Sequence, residues 1–212
     1  MESKASPKRT PGRESGTSHS AELREVNDAR TLRALAHPVR IALLEVLTLR
    51  GPLTATEAGE EIGESPTTCS FHLRQLAKYG FVEEAGGGRG RSRPWRMTSL
   101  GMQLSSAGGG PEAEVALAAV TSLLRERQLS RYRSWLGTRA SYPKAWRDAA
   151  TESEYILYVT AGELEELGRE LSELLLGCFG ERLSDPKTRP AGSLPVEVLL
   201  VSYPLAPPPP ES

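Results

Sequence analysis

Between positions 23 and 47 apolar residues recur at helical spacing. Residues 29–35 continue a pattern begun by Leu23 and Val26, and the pattern halts at His37-Pro38, because proline disfavours helix in the residue before it. Pro38 then opens a second helix carrying Val39, Ile41, Ala42, Leu43, Leu44, Val46 and Leu47, with Arg50 in its last turn and Gly51 as its stop. A helix apolar nearly all round belongs in the middle of a core. Thr54 and Glu57 have the spacing of a capping box and start a third helix through Ala58 to Ile62, broken at Gly63. Ser65-Pro66, a cap residue followed by proline at the first helical position, starts a fourth that stops at Gly80. Its apolar positions Cys69, Leu73 and Leu76 share one face; Thr67, Thr68, Ser70, Phe71, Arg74 and Lys78 form the other. Residues 81–84 and 94–98 read as two strands of a hairpin whose tip, GGGRGRSR over residues 86–93, is glycine-rich and basic.

After residue 100 the pattern changes. Gly108-Gly109-Gly110-Pro111 marks a hinge and a helix start, with Glu112 and Glu114 well placed in the first turn. Val115, Ala118, Ala119, Leu123 and Leu124 give this helix an apolar stripe, and it runs to about Leu136. Residues 155–159 and 196–203 read as strands on either side of a helix that begins at a second capping box, Thr160 with Glu163, and carries Leu164, Leu167, Leu171, Leu174, Leu175 and Cys178. This β-α-β pattern predicts a small module with its helix on a two-stranded or dimer-completed sheet. The chain is thus expected to be α+β and mainly helical, with five parts: a tail (1–20), a helical and hairpin domain (21–100), a long helix (108–137), the C-terminal module (138–206) and a proline-rich end (207–212). The end could fit a proline-binding groove, although a frayed terminus is the plainer reading.

Composition adds exclusions. The 212 residues hold 26 Lys and Arg against 27 Asp and Glu, a net charge of −1, so the whole surface is no polyanion binder. The average hides unlike parts: residues 65–98 carry six cations and two acids, a local +4, while residues 101–212 carry 11 cations and 15 acids. With no run of about 18 apolar residues and no apolar segment after the basic N-terminus, a cytoplasmic protein with no membrane contact is expected. Cys69 and Cys178 are too few for a disulfide framework, and Cys69 lies on an apolar face, as a core residue would.

Two helices joined by a tight glycine turn and followed by a basic hairpin have the layout of a winged helix-turn-helix. Residues 32–40 (LRALAHPVR), 65–82 (SPTTCSFHLRQLAKYGFV) and the hairpin 83–98 resemble the ArsR-like (arsenical-repressor-like) bacterial transcription regulators, a resemblance covering residues 28–100. It implies double-stranded DNA as partner, a homodimer built on the helix of residues 108–137, whose apolar stripe could instead pack within the chain, and a pseudo-palindromic operator. On the fourth helix Ser65, Thr67, Thr68, Ser70 and Phe71 are candidate groove contacts, Phe71 suiting a thymine methyl; Arg74 could read guanine or hold a phosphate, with Lys78 as a further cation. His72 belongs to the family pattern, with a structural or phosphate-binding role. Arg89, Arg91 and Arg93 alternate along the wing and suit a phosphate row or the minor groove.

Other chemistry is less legible. Three histidines, His19, His37 and His72, and no cysteine on the third helix argue against the soft-ligand metal sites of many relatives, and no cofactor is expected. The glycines at 86–90 sit at a hairpin tip and not ahead of a helix, and no nucleophile elbow or HExxH is present, so the chain does not read as an enzyme. Trp135, Tyr142, Trp146, Tyr155 and Tyr158 cluster in sequence and could line a pocket for a small organic effector, form core, or form a dimer contact. Three functions follow: a sequence-specific DNA-binding regulator, a winged-helix protein-interaction module without DNA contact, or a regulator gated by an effector in the C-terminal module.

Overall fold

Leu23 and Val26 do not extend the first helix. In the computed structural model, which describes residues 23–86 and 93–207, they form strand β1 (Leu23–Val26). The Asp28 carboxylate then caps α1 (Ala29–Leu35), accepting from the Thr31 amide at 2.9 Å, so a helix cannot be continuous across residues 27–28. His37 is extended and caps α2 (Pro38–Arg50), its Nδ1 accepting from the Val39 amide at 3.2 Å. Gly51 ends α2. The Thr54–Glu57 capping box opens α3 (Ala55–Ile62), which Gly63 stops in the left-handed conformation at φ 73°. Ser65 caps α4 (Pro66–Lys78).

The wing follows directly. Strands β2 (Val82–Glu84) and β3 (Trp95–Met97) pair antiparallel with Glu83 opposite Arg96, and Leu53 forms an isolated antiparallel bridge to Trp95. A further strand, β4 (Gly101–Leu104), is not announced by the apolar pattern; it pairs parallel with β1, Leu23 facing Gly101 and Val26 facing Leu104. This ladder ties the start of the domain to its end.

The core lies between α1, α2, α4 and the first half of the next helix. Leu32, Leu35, Leu43, Leu73, Leu76, Phe81 and Val82 are the fully buried large side chains of the helical and wing elements, and α2 adds Ile41, Leu44, Val46 and Leu47. Each contributes roughly 1.5–3 kcal/mol through apolar burial. Cys69 is buried in the same cluster, and its burial pushes the thiol above its ordinary range. Gly59 on α3 is where the helix-turn-helix closes: a Cβ there would lie 2.6 Å from the Glu64 carbonyl oxygen. Arg24, which the sequence pattern does not single out, donates to the Tyr79 carbonyl and lies 4.2 Å over the Phe81 ring, fastening the α4–β2 turn to β1.

Helix α5 (Gly110–Thr138) is about 44 Å long at 1.5 Å per residue. Its first half belongs to the core: Ala113, Ala116 and Val120 are buried, and α1 is the element it packs against most extensively. The stripe expected to form a dimer contact is split, with Leu123 and Leu124 half-buried and Val115, Ala118 and Ala119 exposed. On α2, Glu45 accepts hydrogen bonds from Arg127 and Arg131, and Arg131 also binds Glu197. Burial alone would raise the Glu45 carboxyl, but these bonds outweigh it and hold the group below the ordinary carboxylate range.

Beyond α5 come a short helix, α6 (Lys144–Ala149), and α7 (Ala161–Ser184), opened by the expected Thr160–Glu163 capping box. The expected strands are corrected here. Residues 155–159 and 196–203 lie outside every ladder among the described residues, and most of their apolar side chains face solvent. No described helix is long and apolar enough to cross a membrane.

Candidate nucleic-acid interface

Helix α4 is two-faced for a reason visible in its spacing. Cys69, His72, Leu73 and Leu76 turn inward, which leaves Thr67, Phe71, Arg74 and Lys78 as one exposed stripe at spacings of four, three and four. Phe71 is 54% exposed, an uncommon place for a phenyl ring that has a core beside it. Ser70 is half-buried beside the stripe, and its carbonyl accepts from Arg74 Nε at 3.0 Å, which aims the guanidinium along the helix. At the N-terminus the Ser65 hydroxyl accepts from the Thr68 amide at 3.0 Å and shares a 2.8 Å hydrogen bond with the Thr68 hydroxyl. Both side chains are therefore committed first to the cap.

His72, given either a structural or a phosphate-binding role by the resemblance, turns inward. It is only 7% exposed, its ring centroid 4.3 Å from that of His37 and 5.2 Å, edge-on, from that of Phe71. In this position its ring packs between His37 at the α2 N-terminus and Phe71 on α4. Burial lowers both imidazoles below their ordinary range, and the Arg40 charge adds to the effect.

The base of the wing is neutralised internally. Arg93 donates to Glu84 at 2.7 Å and Arg96 to Glu83 at 2.8 Å. Exposed pairs of this kind are worth about 0–1 kcal/mol, so a phosphate can compete for Arg93. Because the two acids offset these two arginines, the local charge of +4 rests on Arg74, Lys78, Arg89 and Arg91. Arg89 and Arg91 lie outside the described residues. The Arg93–Glu84 and Arg96–Glu83 pairs join β2 to the start of β3 and brace the hairpin from which the tip emerges.

The five aromatic residues proposed as an effector pocket are not brought together in one copy. Trp135, Tyr142 and Trp146 are half-buried, with Tyr132 stacked on Trp135 at 5.9 Å, whereas Tyr155 and Tyr158 stand 79% and 100% exposed. Side chains in open solvent line no cavity. Among the described residues no three His, Cys, Asp or Glu groups converge as a metal site.

A model of a helix-turn-helix domain matches residues 35–85, a span that runs from the end of α1 to the residue after β2. No curated protein matches the sequence. Solved structures with some likeness include a MarR family transcription regulator, 17% identical over 74% of this chain and 82% of that one, with a TM-score of 0.29. A Mycobacterium tuberculosis MarR family protein in complex with p-aminosalicylic acid is 20% identical over 69% of this chain and 88% of that one, at a TM-score of 0.26. These scores carry no argument about global architecture. Together the fold and the domain match define a winged helix-turn-helix, the class found in DNA-binding transcription regulators. The ArsR-like branch rests on the sequence motifs alone.

Proposed function

We propose that this protein is a sequence-specific transcription regulator that acts as a homodimer on a pseudo-palindromic operator, with α4 in the major groove and the wing tip on the adjacent backbone or minor groove. The observation that carries the reading is the exposed stripe Thr67, Phe71, Arg74 and Lys78, free of acids, on the second helix of the motif and beside a basic wing. Short polar groups and a phenyl ring read base edges and thymine methyls, while the cations fix register through phosphates. The ion pairs of Arg93 and Arg96 support the same division of labour, because they balance Glu84 and Glu83 and so leave the sequence with a surplus of positive charge in this region.

Selection of bound duplexes from a random double-stranded library tests it. An enriched motif with two inverted half-sites is the expected outcome. Phe71→Ala should flatten base preference at one position of each half-site, where a good contact is worth about 1–3 kcal/mol. Arg74→Ala and Lys78→Ala together should weaken all sequences alike and reduce the salt slope, by about 0.9 for each phosphate no longer neutralised. A library that returns no motif refutes the reading and favours a winged-helix module that binds protein.

A further inference from the structure

The unpaired segments 155–159 and 196–203 carry more apolar surface than a solvated chain keeps. Tyr155, Tyr158 and Tyr203 are 79%, 100% and 67% exposed and together present on the order of 400–600 Å². Eight aliphatic side chains in the same two segments, among them Ile156, Val196 and Val198, are also exposed. With them the patch exceeds the ~800 Å² that each partner contributes to a standard interface, and the few hundred Å² that monomers ordinarily leave open.

We infer that a second copy of this chain covers this surface: residues 155–159 and 196–203 of the two copies pair as strands in one intertwined sheet, with the two α7 helices closing over it. Several observations select a second copy as the occupant. Residues 194–207 contain a single charge, Glu197, which Arg131 already binds, and residues 155–162 contain none. Charge depletion of this kind marks the core of obligate homodimer interfaces. Residues 196–203 (VEVLLVSY) are apolar on both pleat faces, the pattern of a strand covered on both faces, yet in this copy both faces stand open. Each copy brings the same unpaired segments, so a two-fold operation satisfies both at once and leaves no open array.

The position also fits. The far half of α5 holds residues 196–203 through Arg131 to Glu197, and holds the chain just ahead of residues 155–159 through the Tyr132 hydroxyl, which donates to Glu152 at 2.7 Å. That half of α5 also exposes Leu129 and Leu136, further apolar side chains without cover in one copy. Leu164, Leu167, Leu171 and Leu175 of α7 are already half-covered, while Leu174, Cys178 and Phe179 remain open for the partner. The inference deepens the proposed function and rests on it only for the two-fold operator.

Light scattering on the full chain, with amide hydrogen exchange, tests it. The wild type should scatter at twice 23.0 kDa and protect the amides of residues 155–159 and 196–203. The double variant Val198→Asp/Leu200→Asp should scatter as a 23.0 kDa monomer and lose that protection. Its thermal transition for the winged domain and its affinity for a single half-site should stay unchanged, which shows that the domain still folds. Affinity for the full operator should fall by about 10²-fold or more once the second half-site is no longer bound by a linked copy. The Cys178 thiol should react slowly with maleimide in the wild type and quickly in the variant. A variant that stays dimeric, or wild-type amides at 196–203 that exchange at free-peptide rates, overturns the inference while leaving a dimeric regulator standing. A wild type that is monomeric yet selects inverted half-sites assigns the surface to another partner and also overturns it. Loss of dimer in the variant without any selected DNA motif upholds the interface and refutes the proposed function.

Discussion

Gly59→Ala isolates the contact that sets the helix-turn-helix. Gly59 has ordinary helical geometry, so the substitution adds a methyl group without backbone strain, and in an open helix it would stabilise by about 0.5–1 kcal/mol. Here the new carbon would stand 2.6 Å from the Glu64 carbonyl oxygen, with the Pro66 nitrogen at 3.5 Å and Cys69 Sγ at 3.6 Å. A normal contact needs close to 1 Å more, and the obstacle is backbone in the turn itself, held by the Glu64 amide donating to the Gly59 carbonyl at 3.0 Å. Relief therefore means pushing the α4 N-terminus away from α3. Overpacking of this size costs about 1–3 kcal/mol, enough to outweigh the propensity gain. For a folding unit of about 100 residues a net loss of 1–2 kcal/mol lowers Tm by roughly 4–16 °C. Gly162→Ala on α7, where nothing lies within 4 Å, is the matched control and should leave Tm equal or slightly raised. Thermal unfolding followed by circular dichroism, with titration of the selected operator, reads both effects. Gly59→Ala should bind more weakly than its stability loss explains, because α4 and the wing no longer hold their native spacing. An unchanged Tm with full operator affinity would refute the claim that this close approach fixes the reading helix.

Other expectations follow from the same packing. Leu73→Ala, at a fully buried site of α4, should cost about 2–5 kcal/mol, whereas Leu174→Ala on α7 should leave the winged domain's transition in place; parallel denaturant titrations of the two variants check this. Glu45→Gln should lower stability at pH 7 and match the wild type in acid. The folded carboxylate sits below its ordinary pKa, so its contribution is present above the unfolded value and lost as pH falls through the folded one; melts at several pH values read the convergence. His37 and His72 are held below the ordinary imidazole range chiefly by burial, facing Arg40 and each other, with Glu64 opposing weakly. A base lowered by folding binds more protons when unfolded, so stability should decline as pH drops below about 6.5, and His72→Gln should flatten that decline in a pH series of Tm values.

The helices of residues 29–78 were legible because each carries its own punctuation. Pro38, Thr54 with Glu57, Ser65-Pro66, Gly51 and Gly63 mark starts and stops, and all of them act at those positions in the fold. The helix reading of Leu23 and Val26 failed for a physical reason: in so short a stretch their spacing also fits one end of a strand, and the deciding signal was Asp28, a cap ahead of Ala29. Strand β4 was invisible because its partner, β1, is 78 residues away and nothing local requires the pairing. On the candidate interface, the exposed stripe of α4 followed from spacing, but the inward turn of His72 did not, since a lone histidine suits either face. The expected C-terminal strands did not form because apolar alternation makes a segment strand-competent without supplying an edge to pair with, and residues 155–159 and 196–203 join no ladder here.

The sequence distance bridged by the β1–β4 ladder and by the α1–α5 contact bears on how the chain folds. The matched helix-turn-helix spans residues 35–85, yet α1 packs on α5, and Leu32 and Leu35 share one core with Ala113, Ala116 and Val120. A nascent chain released at residue 100 would still expose that seam, so the cooperative unit closes only after residue 120 has left the ribosome. Long-range closure of this kind slows folding relative to the local helix pairs. It also makes the reading domain and the first half of α5 one body thermodynamically: hydrogen exchange should show them opening together, and a minimal fragment for solution work should span residues 23–124 instead of the matched core.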